Sequence, residues 1–108
     1  MKTENNTIRI GGHGDANLEE ILSLKADISY TTLFFANGES KMVATTLKKL
    51  EERLKPYGFY RTHKNSVLNL KFISGFKRKK DKLFVRLANA DQLLVSRRRE
   101  AGLFELTK

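Results

Sequence analysis

Six consecutive residues in the middle of the chain, from Arg61 to Ser66, carry side chains that can donate hydrogen bonds. Apolar residues flank them, with Phe59 on one side and Val67 and Leu68 on the other. Such apolar flanks are buried in a folded domain, whereas the polar side chains between them need partners. The combination indicates a segment that is anchored in the core and presents polar groups to a ligand.

Residue types that support catalysis are scarce. The chain has no cysteine and only two histidines, His13 and His63. His63 lies near Ser66 as a base near a nucleophile would, but no acid that could orient the imidazole is nearby in the sequence. His13 lies among glycines as an exposed residue, and the acidic residues show no metal-ligand spacing. We therefore expect no enzymatic activity, no metal and no cofactor.

Length and composition indicate one folded domain. The chain has 108 residues, of which 40% are hydrophobic, enough for a core of its own. No apolar run is long enough to span a membrane, and the N-terminus lacks the features of a signal peptide. We expect a cytoplasmic protein without membrane contact, with a flexible N-terminus at residues 1–7 and a domain at residues 8–108.

The positive charge is unevenly distributed. The formal net charge is +9, yet residues 1–54 contain seven basic and eight acidic residues, whereas residues 55–108 contain fourteen and four. A basic excess confined to one half is typical of proteins that bind a polyanion. An anionic membrane is a weaker candidate, because no tryptophan or basic amphipathic helix is present. An acidic protein partner remains an alternative.

Apolar periodicity predicts a mostly β protein. Alternating residues predict strands, and those are expected at 8–10, 22–26, 30–35, 40–45, 83–87 and 93–95. Asn37-Gly38 predicts a hairpin between two of them. The period becomes helical from Thr46 to Leu54, with a cap at Thr45 or Thr46 and with Pro56 after it. Residues 101–106 fit a helical turn or a last strand. Six or seven hairpin-connected strands favour antiparallel sheets.

Basic side chains are concentrated at residues 61–65, 77–82 and 97–99. Lys80 and Lys82 fall in a predicted basic turn and suit contact with phosphate, which carries no sequence information. Arg97 and Arg98 can address guanine through their forked guanidinium groups, and Asn65 can pair with adenine. Single-stranded RNA binding requires exposed aromatic platforms, whereas most phenylalanines here occupy alternating positions typical of a core. Duplex DNA is therefore the favoured partner.

An ordered series of motifs resembles the LytTR DNA-binding domains of bacterial response regulators. The series comprises residues 21–26, 30–35 with Asn37-Gly38, 46–51, 58–70, Ile73 and 95–98, and it spans roughly residues 8–106. Its most specific parts are the Phe-x-Arg-x-His segment that begins at Phe59 and the Ser-Arg-Arg that begins at Ser96.

The resemblance implies a mostly β fold with one or two short helices, an elongated stack of small antiparallel sheets. It also implies that loops and strand ends, rather than a recognition helix, reach successive major grooves of duplex DNA. Carried over by position, the three contact loops precede Tyr30, follow His63 and lie at Arg97, with Arg61 at the DNA-facing edge and His63 either structural or contacting. With the predicted phosphate contacts included, the candidate DNA-binding residues are Ser29, Tyr30, Arg61, Lys64, Asn65, Lys80, Lys82, Arg97 and Arg98.

The sequence departs from the family pattern in its contact loops. Asn65 stands between Lys64 and Ser66, which alters the expected base preference, and Asp27 is an acidic residue in the first loop. Family members usually carry a receiver domain or a membrane segment. The chain is then either a stand-alone regulator, controlled by its abundance or by a partner, or an isolated domain cut from a longer protein. The start at Met1 favours the stand-alone regulator.

The predicted function is sequence-specific regulation of transcription. We expect a monomer in solution that binds direct-repeat sites, where two copies dimerise on the DNA. The alternative is a basic interaction module that docks an acidic protein and binds nucleic acid only non-specifically.

Overall fold

A computed structural model describes residues 7–11 and 14–108. Residues 1–6 of the predicted flexible N-terminus, together with Gly12 and His13, lie outside the described residues, and Thr7 already belongs to a strand. The strands are β1 (Thr7–Gly11), β2 (Gly14–Asn17), β3 (Ile21–Asp27), β4 (Tyr30–Phe35), β5 (Ser40–Val43), β6 (Phe59–His63), β7 (Ser66–Asn69), β8 (Ile73–Lys79), β9 (Lys82–Leu87) and β10 (Gln92–Val95). The helices are α1 (Leu47–Leu54) and α2 (Glu100–Leu106), and short 3-10 turns occupy Leu18–Glu20, Lys55–Tyr57, Leu70–Phe72 and Arg97–Arg99.

The strands form three small sheets, and all their pairings are antiparallel. A five-stranded sheet has the order β5-β4-β3-β7-β6, a three-stranded sheet has the order β10-β9-β8, and β1 pairs with β2. The predicted mostly β fold of small antiparallel sheets with one or two short helices is confirmed, and the described residues form two α-helices. The hairpin at Asn37-Gly38 is confirmed as well, since β4 pairs with β5 across it.

The five-stranded sheet is the middle layer, because neighbouring residues of β7 enter two different cores. Val67 packs with Leu24 of β3 and with Leu50 of α1, in a cluster that also receives residues from β1 and β2. Leu68 packs with Val85 of β9 in a second cluster that includes α2. Adjacent strand residues point to opposite faces of a sheet, so the layers lie on either side of β7.

Helix α1 follows the predicted pattern. Its apolar residues Leu47, Leu50 and Leu54 are buried, and the Thr46 hydroxyl accepts a hydrogen bond from Lys49 N at 3.3 Å. The helix therefore covers one face of the sheet. After the 3-10 turn at Lys55–Tyr57, the chain enters β6 through Gly58 at φ 89°, a left-handed conformation that favours glycine.

Three expectations from the sequence are wrong. Most of the predicted basic turn at residues 77–82 is strand, because β8 runs to Lys79 and only Lys80 and Asp81 form the turn. The described residues form ten strands, more than the six or seven expected. Of the seven phenylalanines only Phe59 is buried, whereas Phe76 and Phe104 are exposed and pack against each other with tilted rings whose centroids are 5.2 Å apart.

Two buried serines make a matched test of hydrogen bonding in the sheet. Ser23 is 1% exposed, and its hydroxyl has no hydrogen-bond partner among the described residues. Ser66 is also buried, but its hydroxyl lies 2.8 Å from that of Thr62. We expect Ser66→Ala to lower the free energy of unfolding by about 1–3 kcal/mol, because it leaves the Thr62 hydroxyl unpaired.

Ser23→Ala should be neutral or stabilising, because it removes a polar atom that already lacks a partner. Urea titration of both variants measures the difference. A larger loss of stability in Ser23→Ala than in Ser66→Ala would contradict this account.

Candidate nucleic-acid interface

Strand register brings the first two predicted contact loops together. Lys25 of β3 pairs with Ser66 of β7, so the end of β3 lies beside the start of β7. The β3–β4 turn at Ile28 and Ser29 therefore emerges next to the β6–β7 turn. Ala26 N donates a hydrogen bond to the Asn65 carbonyl at 2.8 Å and ties the two turns to each other.

The third predicted loop and the basic β8–β9 turn reach the same edge. Ser96 N donates to the Thr62 carbonyl at 2.8 Å, which places the end of β10 beside the end of β6. Leu83 at the start of β9 pairs with Val95, so the β8–β9 turn lies there too. We call the set of four connections the basic edge: residues 28–29, 64–65, 80–81 and 96–99.

Acidic residues lie at the opposite ends of the strands. Glu20 is in the 3-10 turn before β3, Glu39 precedes β5, and Asp91 precedes β10. Glu19 forms an ion pair with Lys71 in the same region. Not all acidic residues lie there, because Asp81 belongs to the basic edge, and Glu51 and Glu100 pair with arginines beside it.

All nine predicted DNA-binding residues lie on the basic edge or next to it, and eight have exposed side chains. The exposed residues are Ser29, Tyr30, Lys64, Asn65, Lys80, Lys82, Arg97 and Arg98. Lys82 and Arg97 also line a shallow cavity of about 300 Å³ together with His63. The site that the sequence divides among distant segments is therefore one continuous surface.

Arg61 is the exception, because its guanidinium group is held within the protein. Nε donates to the His63 carbonyl at 3.1 Å, and Nη2 donates to the Lys64 carbonyl at 2.6 Å. Nη1 pairs with Glu51 Oε1 of α1 at 2.6 Å, and the side chain is only 17% exposed. These contacts fix the β6–β7 turn against the helix.

The remaining polar residues of the central run are divided between core and surface. Thr62 and Ser66 are buried and bonded to each other. His63 Nδ1 accepts a hydrogen bond from Asn65 N at 3.3 Å, so the histidine supports the turn. Only the tip, Lys64 and Asn65, is fully open to solvent.

Hydrogen bonds to β6 hold the Arg97–Arg99 turn in place. Tyr60 Oη donates to the Arg99 carbonyl at 2.9 Å, and Arg99 Nη1 donates to the Arg61 carbonyl at 3.3 Å. Because the third arginine is tied to β6, the side chains of Arg97 and Arg98 project from a fixed backbone.

The β8–β9 turn has an unfavourable backbone for its sequence. Lys80 and Asp81 have φ of 51° and 70°, values that glycine and asparagine adopt more easily. Arg78 supports the turn by donating to the Asp81 carbonyl at 3.4 Å, and it pairs with Glu100 at 2.9 Å. The hydrogen bond and the charge of Glu100 raise the pKa of Arg78 above its usual value.

Sequence reasoning missed two contributors to this edge. Lys48, at the start of α1, lines a cavity of about 260 Å³ with the β3–β4 turn and with Lys64. Ile28 is the exposed tip of that turn. The leucine spacing places Lys48 on a helix, and only the tertiary position of the helix N-terminus shows that it borders the basic edge.

The part of the chain that the structure describes contains no group of three or more acidic or histidine residues that could hold a metal ion. None of its helices is long and apolar enough to cross a membrane.

Comparisons with known proteins identify the family of the chain and its fold. The family model described as the LytTr DNA-binding domain matches residues 15–108. A solved LytTr DNA-binding domain from Bacillus cereus, from a protein described as a methyl-accepting/DNA response regulator, has a TM-score of 0.78. The match covers 95% of this chain and 97% of that chain at 14% sequence identity, so it shows a shared fold. None of the curated proteins matches the chain.

The Arg61 contacts make a testable contribution to stability. We expect Arg61→Ala to lower the free energy of unfolding by about 1–3 kcal/mol, since it removes a charged partner and leaves two carbonyl groups without their donor. Arg98→Ala is the matched control, because the Arg98 side chain is exposed and should change stability by less than about 0.5 kcal/mol. Urea unfolding measures both, and equal losses would show that the Arg61 contacts do not stabilise the fold.

Proposed function

This chain belongs to the LytTr DNA-binding domain family, and we propose that it is a transcription regulator that recognises a specific duplex sequence through its basic edge. The observation that carries the proposal is the convergence of four connections on one edge, with eight of the nine predicted side chains exposed there. A basic surface of this kind attracts DNA phosphates and releases the cations bound to them.

The lysines of the edge supply affinity. Lys64, Lys80 and Lys82 are exposed at turns or at the start of a strand, so their ammonium groups can follow the phosphate backbone. Ser29 and Tyr30 add hydroxyl groups at the first turn, and hydroxyl groups commonly donate to phosphate oxygens. Such contacts fix the orientation of the protein but do not distinguish sequences.

Base recognition falls to the side chains that can make two directed hydrogen bonds. Arg97 and Arg98 can each bind O6 and N7 of a guanine, and Asn65 can bind N6 and N7 of an adenine. Arg61 acts behind them: its contacts with the carbonyl groups of the second turn hold Asn65 in place. In this proposal Arg61 is a positioning residue.

Turns, rather than a helix, are the parts that enter the grooves. The apolar side of α1 is buried on the sheet, and α2 has only 7 residues. The molecule measures 42 × 36 × 24 Å, and adjacent major grooves on one face of DNA are about 34 Å apart. The longest dimension of the molecule therefore exceeds the groove spacing, as contact with successive grooves requires.

Oligomeric state follows from the same proposal. The four connections differ in sequence, so one basic edge reads an asymmetric half-site. We expect a monomer in solution, with two copies bound side by side in the same orientation on a direct repeat.

Selection from random duplexes tests the proposed function. The proposal requires one enriched motif, and a repeat of that motif in the same direction supports paired binding. Binding that is equal for all sequences, and lost at physiological salt, would instead support the alternative module that docks an acidic protein.

Arg97→Ala should weaken binding to the selected duplex by about 1–3 kcal/mol and relax the preference at one base pair. Binding to a shuffled duplex of the same composition should change little, because it never had the base contact. Affinities for the two duplexes at one salt concentration check this. An equal loss on both would assign Arg97 to phosphate instead.

Lys80→Asn should weaken binding to selected and shuffled duplexes alike. The slope of log K against log salt should become shallower by about 0.9, the value for one phosphate contact. Stability should stay the same or rise, because asparagine tolerates the positive φ of 51° better than lysine does. An unchanged salt slope would remove Lys80 from the interface.

A further inference from the structure

Ile28 is the most exposed large apolar residue in the described chain, at 102% relative exposure against 63% for Met42. It occupies the tip of the β3–β4 turn, in the middle of a polar and basic surface. Single exposed apolar residues are common on protein surfaces and need no explanation by themselves. The position of Ile28 within a basic surface does require an explanation.

The turn holds Ile28 outward. Asp27 pairs with Tyr30 across only two intervening residues, so the tip has no length to fold back onto the sheet. Asp27 Oδ1 accepts a hydrogen bond from Ile28 N at 2.9 Å, which fixes the backbone at the tip. It also gives the one acidic group of this turn a partner within the protein.

Isoleucine is also an uncommon residue type for a tight turn such as the one between β3 and β4. Tight turns are dominated by glycine, asparagine, aspartate and serine, each for a backbone reason, whereas isoleucine is β-branched and favours strands. Lys48 and Lys64 flank the same cavity, so the isoleucine is surrounded by groups suited to phosphate. A local departure from turn chemistry within a binding surface is expected where the side chain has a function.

We propose that Ile28 recognises thymine through the C5-methyl group in the major groove. The inference rests on the proposed function, since it applies to DNA bound at the basic edge. An isoleucine side chain can neither donate nor accept a hydrogen bond, and thymine methyl is the apolar group that base edges present in the major groove. The first turn thus reads shape and apolar surface, while Asn65, Arg97 and Arg98 read hydrogen-bonding groups.

Replacing thymine with deoxyuridine removes only that methyl group. Each thymine of the duplex selected by the wild-type chain is replaced in turn, and affinity is measured for wild-type protein and for Ile28→Ala. We expect one thymine per half-site at which deoxyuridine weakens wild-type binding by about fourfold, the value of burying one methyl group. Ile28→Ala should lose affinity for the thymine duplex and show no further loss with deoxyuridine.

Leu106→Ala is the control, because Leu106 is also an exposed apolar residue but lies at the C-terminal end of α2, away from the basic edge. It should keep both the affinity and the deoxyuridine effect. A thermal unfolding scan should show that both variants are folded, since neither side chain is buried.

The outcomes distinguish failure of the proposed function from failure of the proposed role of Ile28 alone. If no motif is enriched, the proposed function fails and this inference fails with it. If a motif is enriched but every deoxyuridine effect persists in Ile28→Ala, or no thymine shows an effect, Ile28 does not read a methyl group and the proposed function stands.

Discussion

The antiparallel register of β3 and β7 is the constraint on which the functional surface depends. Lys25 opposite Ser66 sets the β3–β4 and β6–β7 turns side by side, and the bond between Ala26 and Asn65 holds them there. A shift of one residue would turn Val67 and Leu68 to the wrong faces and exchange their two cores. The packing that stabilises the fold therefore also fixes the spacing of the contact turns.

Side chains beneath the basic edge compensate for its unfavourable turn conformation and its concentrated positive charge. Arg61 and Arg99 give their hydrogen bonds to carbonyl groups of the turns and of β6, so that neighbouring arginines and lysines remain free. Lys80 and Asp81 adopt a left-handed backbone conformation, and Arg78 donates a hydrogen bond to the Asp81 carbonyl. Concentrated positive charge repels itself, and placing Glu51 and Glu100 against two of the arginines reduces that repulsion.

The sequence predicts local structure well because hairpins and α1 are encoded locally. Asn37-Gly38 marks its turn, and the leucine spacing with Thr46 marks the helix. It misjudges β8, because a run of lysine and arginine resembles a turn until the pairing with β9 is known. The convergence of four connections is a property of sheet order, and sheet order depends on contacts between residues far apart in sequence.

Arg61 shows why a recognised motif does not fix the role of each of its residues. Its position in the Phe-x-Arg-x-His segment predicts a DNA-facing side chain, yet three of its donors already have partners within the protein. A guanidinium group has five N–H donors, and one that bridges two carbonyl groups and a carboxylate makes a turn rigid. A rigid turn loses less conformational entropy on binding, so a partly buried arginine can increase affinity for DNA without touching it.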